Sequence, residues 1–429
     1  MKNDLIKNKL FFLLFFFPLT YIIGIAVVEV FLLIFLIFLF LSNHDKEILY
    51  KKILIVLLLF SIYIGLNAFI QIPSNLKYSS IFHFRYLLFS MAVYFFFEKY
   101  SYIKFNKNLI VSIFILTLVT LFFDSFFQFV VGKNIFGQKL FEYRVSSFFG
   151  DDLILGSFLI RLLPIIFWYL FYLRIDINLS KFYSILFFSI YFSVIYLSGE
   201  RTSFALLIGF ILLSIILISE LRNILIKSTI IFSIFIIFNA ILDLGKTDIT
   251  HRIFHKTYKQ VVKQNIITEN KTEYNNDSFI KVIKSVKVFS NDHQGHLIVA
   301  KNLFKENLTF GVGPKGFRHF CRLVDYNPEE GICSTHPHNI LAQILSETGL
   351  IGLFFYMVFI IFLVKHIFLI KNKVDNKFEV NSFLVISIGL IIHLFPILPS
   401  GNFFNNWISS FIYFKIGLLL YSHNRLFSK

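Results

Sequence analysis

The sequence predicts an all-α, polytopic membrane helical bundle of about twelve transmembrane helices, with one large outer loop before the tenth. Three observations predict it. Hydrophobic residues make up 57% of the 429 and charged residues only 15%, where soluble domains carry about 25% charged residues. The mean hydropathy is +0.74. Apolar stretches of about 17–25 residues, each enough to cross the hydrocarbon layer, recur between short polar breaks. The same composition excludes a soluble multidomain protein, a disordered or collagen-like chain and a disulfide scaffold.

The spans fall at 10–24, 26–42, 53–71, 79–97, 109–131, 153–173, 182–198, 203–219 and 224–243, which fill residues 1–243, and at 345–366, 380–398 and 404–422 within 340–429. The first two are short and separated only around Pro18 and Gly24, so a single long tilted helix is the alternative there. No internal repeat is visible, which argues against an architecture of duplicated halves. The 60 phenylalanines accompany abundant Ile, Lys and Asn, the pattern of an A/T-biased genome. The Phe stripes therefore read as lipid-facing filler, since a lipid-facing surface need only be apolar.

The net charge of +16 reflects topology rather than nucleic-acid binding. With the N-terminus inside, the cytoplasmic segments hold 19 Lys and Arg, against five in the short outer loops: Lys77, Lys133, Lys139, Arg144 and Arg201. That bias places both termini in the cytoplasm. The N-terminal stretch is basic, then apolar, without a small-residue cleavage site, and reads as a retained anchor.

Residues 244–339 break the helix–loop rhythm and by parity lie outside the membrane. A long outer segment in so economical a chain is a natural place for function. It holds seven of the twelve histidines (251, 255, 293, 296, 319, 336 and 338) and both cysteines, Cys321 and Cys333. Two thiols in an oxidising compartment are expected to pair. The bridge would close a loop of 13 residues and contribute about 3 kcal/mol in the chain-entropy account; two free thiols are the alternative. Ser278–Phe289 places Phe279, Val282, Ile283, Val286 and Phe289 on one helical face and Lys281, Lys284 and Lys287 opposite. This is a basic amphipathic helix, lying on the membrane surface or packed on its neighbours. Gly311-Val-Gly-Pro-Lys-Gly316 is a tight turn. Its N–H groups, with Lys315 and Arg318 beside them, suit a phosphate.

The strongest local signal is Ser334-Thr-His-Pro-His-Asn339 followed by an apolar run with Gly349 and Gly352. Pro337 favours a helix start close behind it. A continuous helix from there carries His338 at its head and sets His338, Gly349 and Gly352 on one face, because positions 11 apart differ by only about 20° in phase. The glycines allow tight packing. A helix N-terminus disfavours the imidazolium, leaving a neutral ring able to act as general base. A structural role for each histidine is the plain alternative. A metal site from His336, His338 and His319 is another, although carboxylate or cysteine partners at ligand spacing are absent.

These residues resemble a known family. His338-Asn339, nine residues and Gly349-x-x-Gly352 resemble the hallmark of the bacterial O-antigen ligase and O-antigen polymerase superfamily, membrane glycosyltransferases of the GT-C type. Asp124-Ser-Phe-Phe-Gln128 with Gly132, Arg144-Val-Ser-Ser-Phe148, Gly156 and Pro164 resembles its fifth and sixth spans and the loop between them. Leu197-Ser-Gly-Glu-Arg-Thr-Ser203 resembles its short outer turn, and Gly311-Val-Gly-Pro-Lys-Gly-Phe317 its glycine loop. The similarity runs through about 80–400. Many relatives carry an Arg before the helix preceding the glycine loop, where this chain reads Gly295-His296-Leu297, so a basic role there passes to His296, Lys315 or Arg318.

The resemblance implies a multi-pass protein of the bacterial inner membrane. It would transfer a glycan from undecaprenyl diphosphate to an acceptor hydroxyl at the periplasmic face, without cofactor or metal. A ligase uses lipid A–core as acceptor; a polymerase uses the growing glycan's next repeat unit; a protein O-oligosaccharyltransferase is a third branch. His338 is the expected general base, supported by His336, Asn339, Gly349 and Gly352. Arg201, Arg318, Arg85 and Lys315 are the expected diphosphate ligands, since arginine forks match phosphate oxygens; Arg144 is a further candidate. Arg85 lies inside the fourth span, where a salt bridge to Asp124 is the structural alternative. Arg161 could simply snorkel, and Lys415, deep in the last span, has no role in this scheme. A lipid-linked glycan transporter would instead place charges around a midplane cavity, and a non-catalytic envelope scaffold would be indifferent to His338.

Overall fold

The computed structural model describes residues 15–41, 52–72, 78–100, 107–175, 181–242, 248–259, 291–323, 333–370 and 376–427. The long helices are α1 (Ile25–Leu41), α2 (Lys52–Gln71), α3 (Phe84–Tyr100), α4 (Lys107–Val131), α5 (Leu155–Tyr172), α6 (Lys181–Leu197), α7 (Arg201–Leu217), α8 (Ser219–Leu242), α9 (Asn291–Glu306), α10 (Ile340–Ile370), α11 (Lys377–His393) and α12 (Asn406–Phe427). Among the described residues, β structure is limited to three isolated bridges. The protein is an all-α, polytopic membrane bundle.

Among the described residues, five helices, α2, α4, α5, α8 and α10, are long and apolar enough to cross a bilayer, and α1, α6 and α7 are shorter apolar helices. Two of the expected spans are not single α-helices among these residues. The first is a 3-10 helix, Phe17–Ile22, with Pro18 in its first turn, cut from α1 at Gly24. The fourth is interrupted: a short helix ends at Ile81 and α3 begins at Phe84. The amphipathic segment Ser278–Phe289 lies outside the described residues.

The bundle is built around α5, whose buried face runs almost all the way round. It packs on α11, and α3 packs on α12 and α1, while α11 and α12 pack on each other. Close approach of α5 to α11 depends on Gly389, where a Cβ would come within 2.5 Å of the Pro164 ring. The phenylalanines divide between two environments. Phe69, Phe354 and Phe368 are exposed on the outer surface, as lipid-facing filler should be. Phe15, Phe17, Phe35, Phe89, Phe96 and Phe97 are among the largest fully buried side chains, which corrects the filler reading. Helices separated by 8–10 Å need bulky side chains between them. Rings such as Phe97 and Trp168, 4.9 Å apart and edge-to-face, supply that bulk.

The loops at one end of the bundle gather under residues 291–323 and 333–339. Ser80 Oγ donates to Pro314 O (2.9 Å), and Ser400 N donates to His338 O (2.8 Å). A satellite core of Val299, Ala300, Leu303, Val312, Phe317 and Cys321 holds α9 to the glycine turn. Cys321 and Cys333 are disulfide-bonded with Cα atoms 5.4 Å apart, tying this small core to the histidine run that follows.

Candidate functional site

The site begins at the head of α10. Asn339 stands just before the helix and caps it, its Oδ1 accepting the Ala342 N–H at 2.9 Å. Its Nδ2 donates to Pro396 O at 2.7 Å, and its backbone bridges to Pro399. His338 therefore precedes the helix instead of heading it, with a left-handed φ of 55°. Such backbone strain in a non-glycine residue persists where the surroundings over-determine it.

The single-face arrangement of His338, Gly349 and Gly352 does not form, because α10 breaks at Gly349 (φ 63°, ψ −161°). The break lets the 308–312 turn dock backbone to backbone. Val312 N donates to Ser346 O at 2.9 Å, and Leu350 N donates to Leu308 O at 2.9 Å. A Cβ on Gly349 would lie 2.3 Å from Thr309 O, and one on Gly311 2.5 Å from the Glu347 carbonyl carbon, so the contact is a glycine-for-glycine approach. Two side chains of α2 take up the freed carbonyls. Tyr63 Oη donates to Thr348 O (2.5 Å) and Asn67 Nδ2 to Phe310 O (2.7 Å).

The glycine turn already holds an acidic side chain, and it is internal. Phe317 N donates to Glu347 Oε1 at 3.1 Å, with the carboxylate fully buried. Gln343 Nε2 donates to Glu347 Oε2 (2.9 Å) and to Asn402 Oδ1 (2.7 Å), while Gln343 Oε1 accepts from Phe403 N (2.9 Å). The Phe317 amide is thus taken by a side chain of α10, and Gly311 N, Val312 N and Gly316 N donate to Asn307, Ser346 and Gly313 O. Gln343 and Glu347 were legible only as a polar i, i+4 pair in an apolar run, and Asn402 only as a polar break between the last two spans.

Four imidazoles meet above this network. His338 lies 4.0 Å from His336, 5.2 Å from His293 and 5.3 Å from His296, centroid to centroid. His336 is fixed at both nitrogens: Nε2 stands 3.2 Å from Ser400 O, which can only accept, so Nδ1 accepts from the Thr335 hydroxyl at 3.0 Å. Burial, then His338, pushes His336 down to about 3. Burial, then His293 and His296, pushes His338 down to about 4. Both are neutral at physiological pH. His319 is also lowered, by burial and then Arg318, but makes none of these ring contacts. Among the described residues, no group of three or more His, Cys, Asp or Glu is arranged to hold a metal ion.

The expected cations separate into two centres. Arg318 and Lys315 lie together on the histidine side. Burial, then Arg318 and Arg85, pushes Lys315 down to about 8, and Arg318 also acts electrostatically on His336. The Arg318 Nε is buried without a hydrogen-bond partner. Arg85, nearby, is already committed: it donates to Glu29 (3.1 Å), Tyr86 Oη (2.6 Å) and Phe82 O (3.1 Å). Its carboxylate partner is Glu29 and not Asp124, which instead accepts from Ile135 N (2.8 Å) and Ser147 Oγ (2.5 Å) to anchor the 134–147 loop.

The second centre surrounds the α6–α7 turn. Arg144 donates to Ser198 O (3.1 Å) and Leu153 O (3.3 Å) and faces Glu200 at 3.9 Å. Burial is the largest influence on Arg144 and lowers it. Glu200 caps α5 by accepting from Gly156 N (2.8 Å) and Ser157 N (3.0 Å). Arg252, which the sequence reading passed over, donates to Gly199 O at 3.2 Å and pairs with Glu142 at 3.7 Å. Arg201 opens α7 within the fields of Arg144 and Arg252. Arg161 is buried rather than snorkelling, with its guanidinium 5.2 Å from the Trp407 ring. Lys415 contacts His393 Nδ1 inside the bundle.

Residues 186–357 match the family model described as O-antigen ligase. The match takes in all four clustered histidines, the glycine turn, Arg318, Arg201 and Gly349, and leaves Arg85 and Arg144 outside it. No curated protein matches the chain. The superfamily that the motifs resemble is thus the one supported.

Proposed function

We propose, taking residues 186–357 as a domain of the O-antigen ligase and polymerase superfamily, that the chain moves a glycan from undecaprenyl diphosphate to lipid A–core. Transfer takes place at the periplasmic face of the bacterial inner membrane. In this reading residues 244–339 are periplasmic and both termini are cytoplasmic. His338 removes the proton as the acceptor oxygen bonds to the anomeric carbon, and the bond from that carbon to the diphosphate oxygen breaks. Arg318 and Lys315 stabilise the charge that builds on the departing diphosphate. Arg85 is balanced by Glu29, so its net field is small, and Arg201, at the second centre, takes no part in this step. His336 and Asn339 fix the position of His338, and Gly349 fixes the loop that carries Lys315.

The observation that carries this reading is an imidazole on a strained backbone, 4.0 Å from His336, a ring on which Arg318, its buried Nε without a partner, acts electrostatically. Expression in ligase-deficient and polymerase-deficient hosts tests it. Restored attachment of glycan to lipid A–core, lost in His338→Ala at equal protein level, supports the ligase. Restored chain length alone supports the polymerase. Rescue by His338→Ala would remove the general base. A transporter reading draws on Lys415 and His393 inside the bundle; it requires Lys415→Met to abolish rescue while His338→Ala leaves it intact.

A further inference from the structure

We infer that His293, on α9, is the exit for the proton that His338 takes from the acceptor, a role that rests on the glycosyl-transfer reading above. The geometry singles out this ring among the three that touch His338. His336 has both nitrogens engaged, by Thr335 and by Ser400 O. His296 lies nearly parallel to His338, with 29° between the planes, and is only 9% exposed, so it offers a poorer way out to solvent. His293 meets His338 at 59° and 5.2 Å. His293 is also less buried than His296 and sits in the first turn of α9.

The proton balance is complete. The acceptor O–H breaks and its proton goes to one His338 nitrogen. His338 passes a proton to His293, His293 releases it to solvent, and both rings return neutral. Without the second ring, the proton leaves a mostly buried imidazole directly. His338, pushed down to about 4 by burial, then His293 and His296, gives up its proton readily. The charged or titratable groups acting on it come from α9 (His293 and His296) and from its own run (His336).

The test uses the full chain in membranes of the rescued ligase-deficient host, which supply donor and acceptor, assayed at low buffer and with added imidazole. His293→Ala should slow attachment at least about tenfold, and imidazole should restore the rate with a saturating dependence. His293→Ala as fast as wild type at low buffer overturns the inference. So does a slow variant that imidazole does not speed, because a packing role gives that result. A second variant, His293→Gln, fills the same space without relaying at neutral pH and should behave as His293→Ala does. Wild-type membranes that attach nothing overturn the function and the relay together; wild-type attachment with an indifferent His293 overturns the relay alone.

Discussion

Phe317 N donates to the Glu347 carboxylate across 3.1 Å, joining the glycine turn to a helix thirty residues further along the chain. The carboxylate satisfies the turn from below, and Gln343 satisfies the carboxylate. Glu347→Ala should leave buried donors unmet, at about 1–3 kcal/mol each. The expected outcome is a lower melting temperature of the detergent-solubilised protein, read from tryptophan fluorescence. Glu347→Gln, which keeps an acceptor oxygen, should fall between wild type and alanine. An alanine variant that melts with wild type would show that the turn holds itself.

The pH profile of transfer follows from two groups. His338 works as a base only when neutral, and its value is lowered to about 4. In His293→Ala, where no relay ring can titrate, activity should therefore persist well below the ordinary histidine range and fall only as pH drops through about 4. Lys315 is a cation below about 8 and loses its charge above it. The KM for the lipid-linked donor should rise as pH climbs through about 8, and Lys315→Arg should flatten that rise. An acid limb near 6.5 would mean that a different group is being titrated.

Arg318 is predicted to contribute through paired contacts to phosphate. Arg318→Ala should lower kcat/KM by about ten- to a hundredfold, the worth of a charge-assisted hydrogen bond. Arg318→Lys should recover only part of the loss, because an ammonium cannot present two parallel donors. Full recovery by lysine would reduce the role to charge alone.

Gly349 and Gly137 form an internal comparison. Both have positive φ, 63° and 86°. A Cβ on Gly137 meets nothing within 4 Å, whereas one on Gly349 meets Thr309 O at 2.3 Å. Gly137→Ala should cost only the left-handed backbone penalty, about 1–2 kcal/mol, and accumulate in membranes normally. Gly349→Ala must also separate two docked backbones and should accumulate poorly. Equal levels of the two would contradict the docking.

The contrast also explains what could be read in advance. The membrane bundle was legible because lipid exposure forces long apolar runs, and helices such as α4, α5 and α8 fall where hydropathy placed them. Pro337, the spacing of His336 and His338 and the pairing of Cys321 with Cys333 are local features, so they too stood in the sequence. The break in α10 was not legible. A glycine in an apolar run reads equally as a packing contact or a bend, and only the docked 308–312 turn decides between them. The approach of His293 and His296 to His338 joins positions more than forty residues apart. Glu347 was hidden because a carboxylate in a span draws attention only when its donors are known. Arg318 and Arg201 read alike in sequence, yet the folded chain sends them to separate centres.

The bend at Gly349 divides α10 into a short head and a long stem. The head carries the Asn339 cap, Gln343 and Glu347, and it is stitched to the loops; the stem, from Leu350 to Ile370, exposes Phe354, Ile361 and Phe368. Helices answer a thinner or thicker bilayer by tilting. Here the first residues of the stem are themselves tied to the loop, Leu350 N donating to Leu308 O and Ile351 N to Thr309 O. A leaning stem therefore pulls on the turn beneath the imidazoles, which couples that end of the bundle to the mechanics of the surrounding lipid.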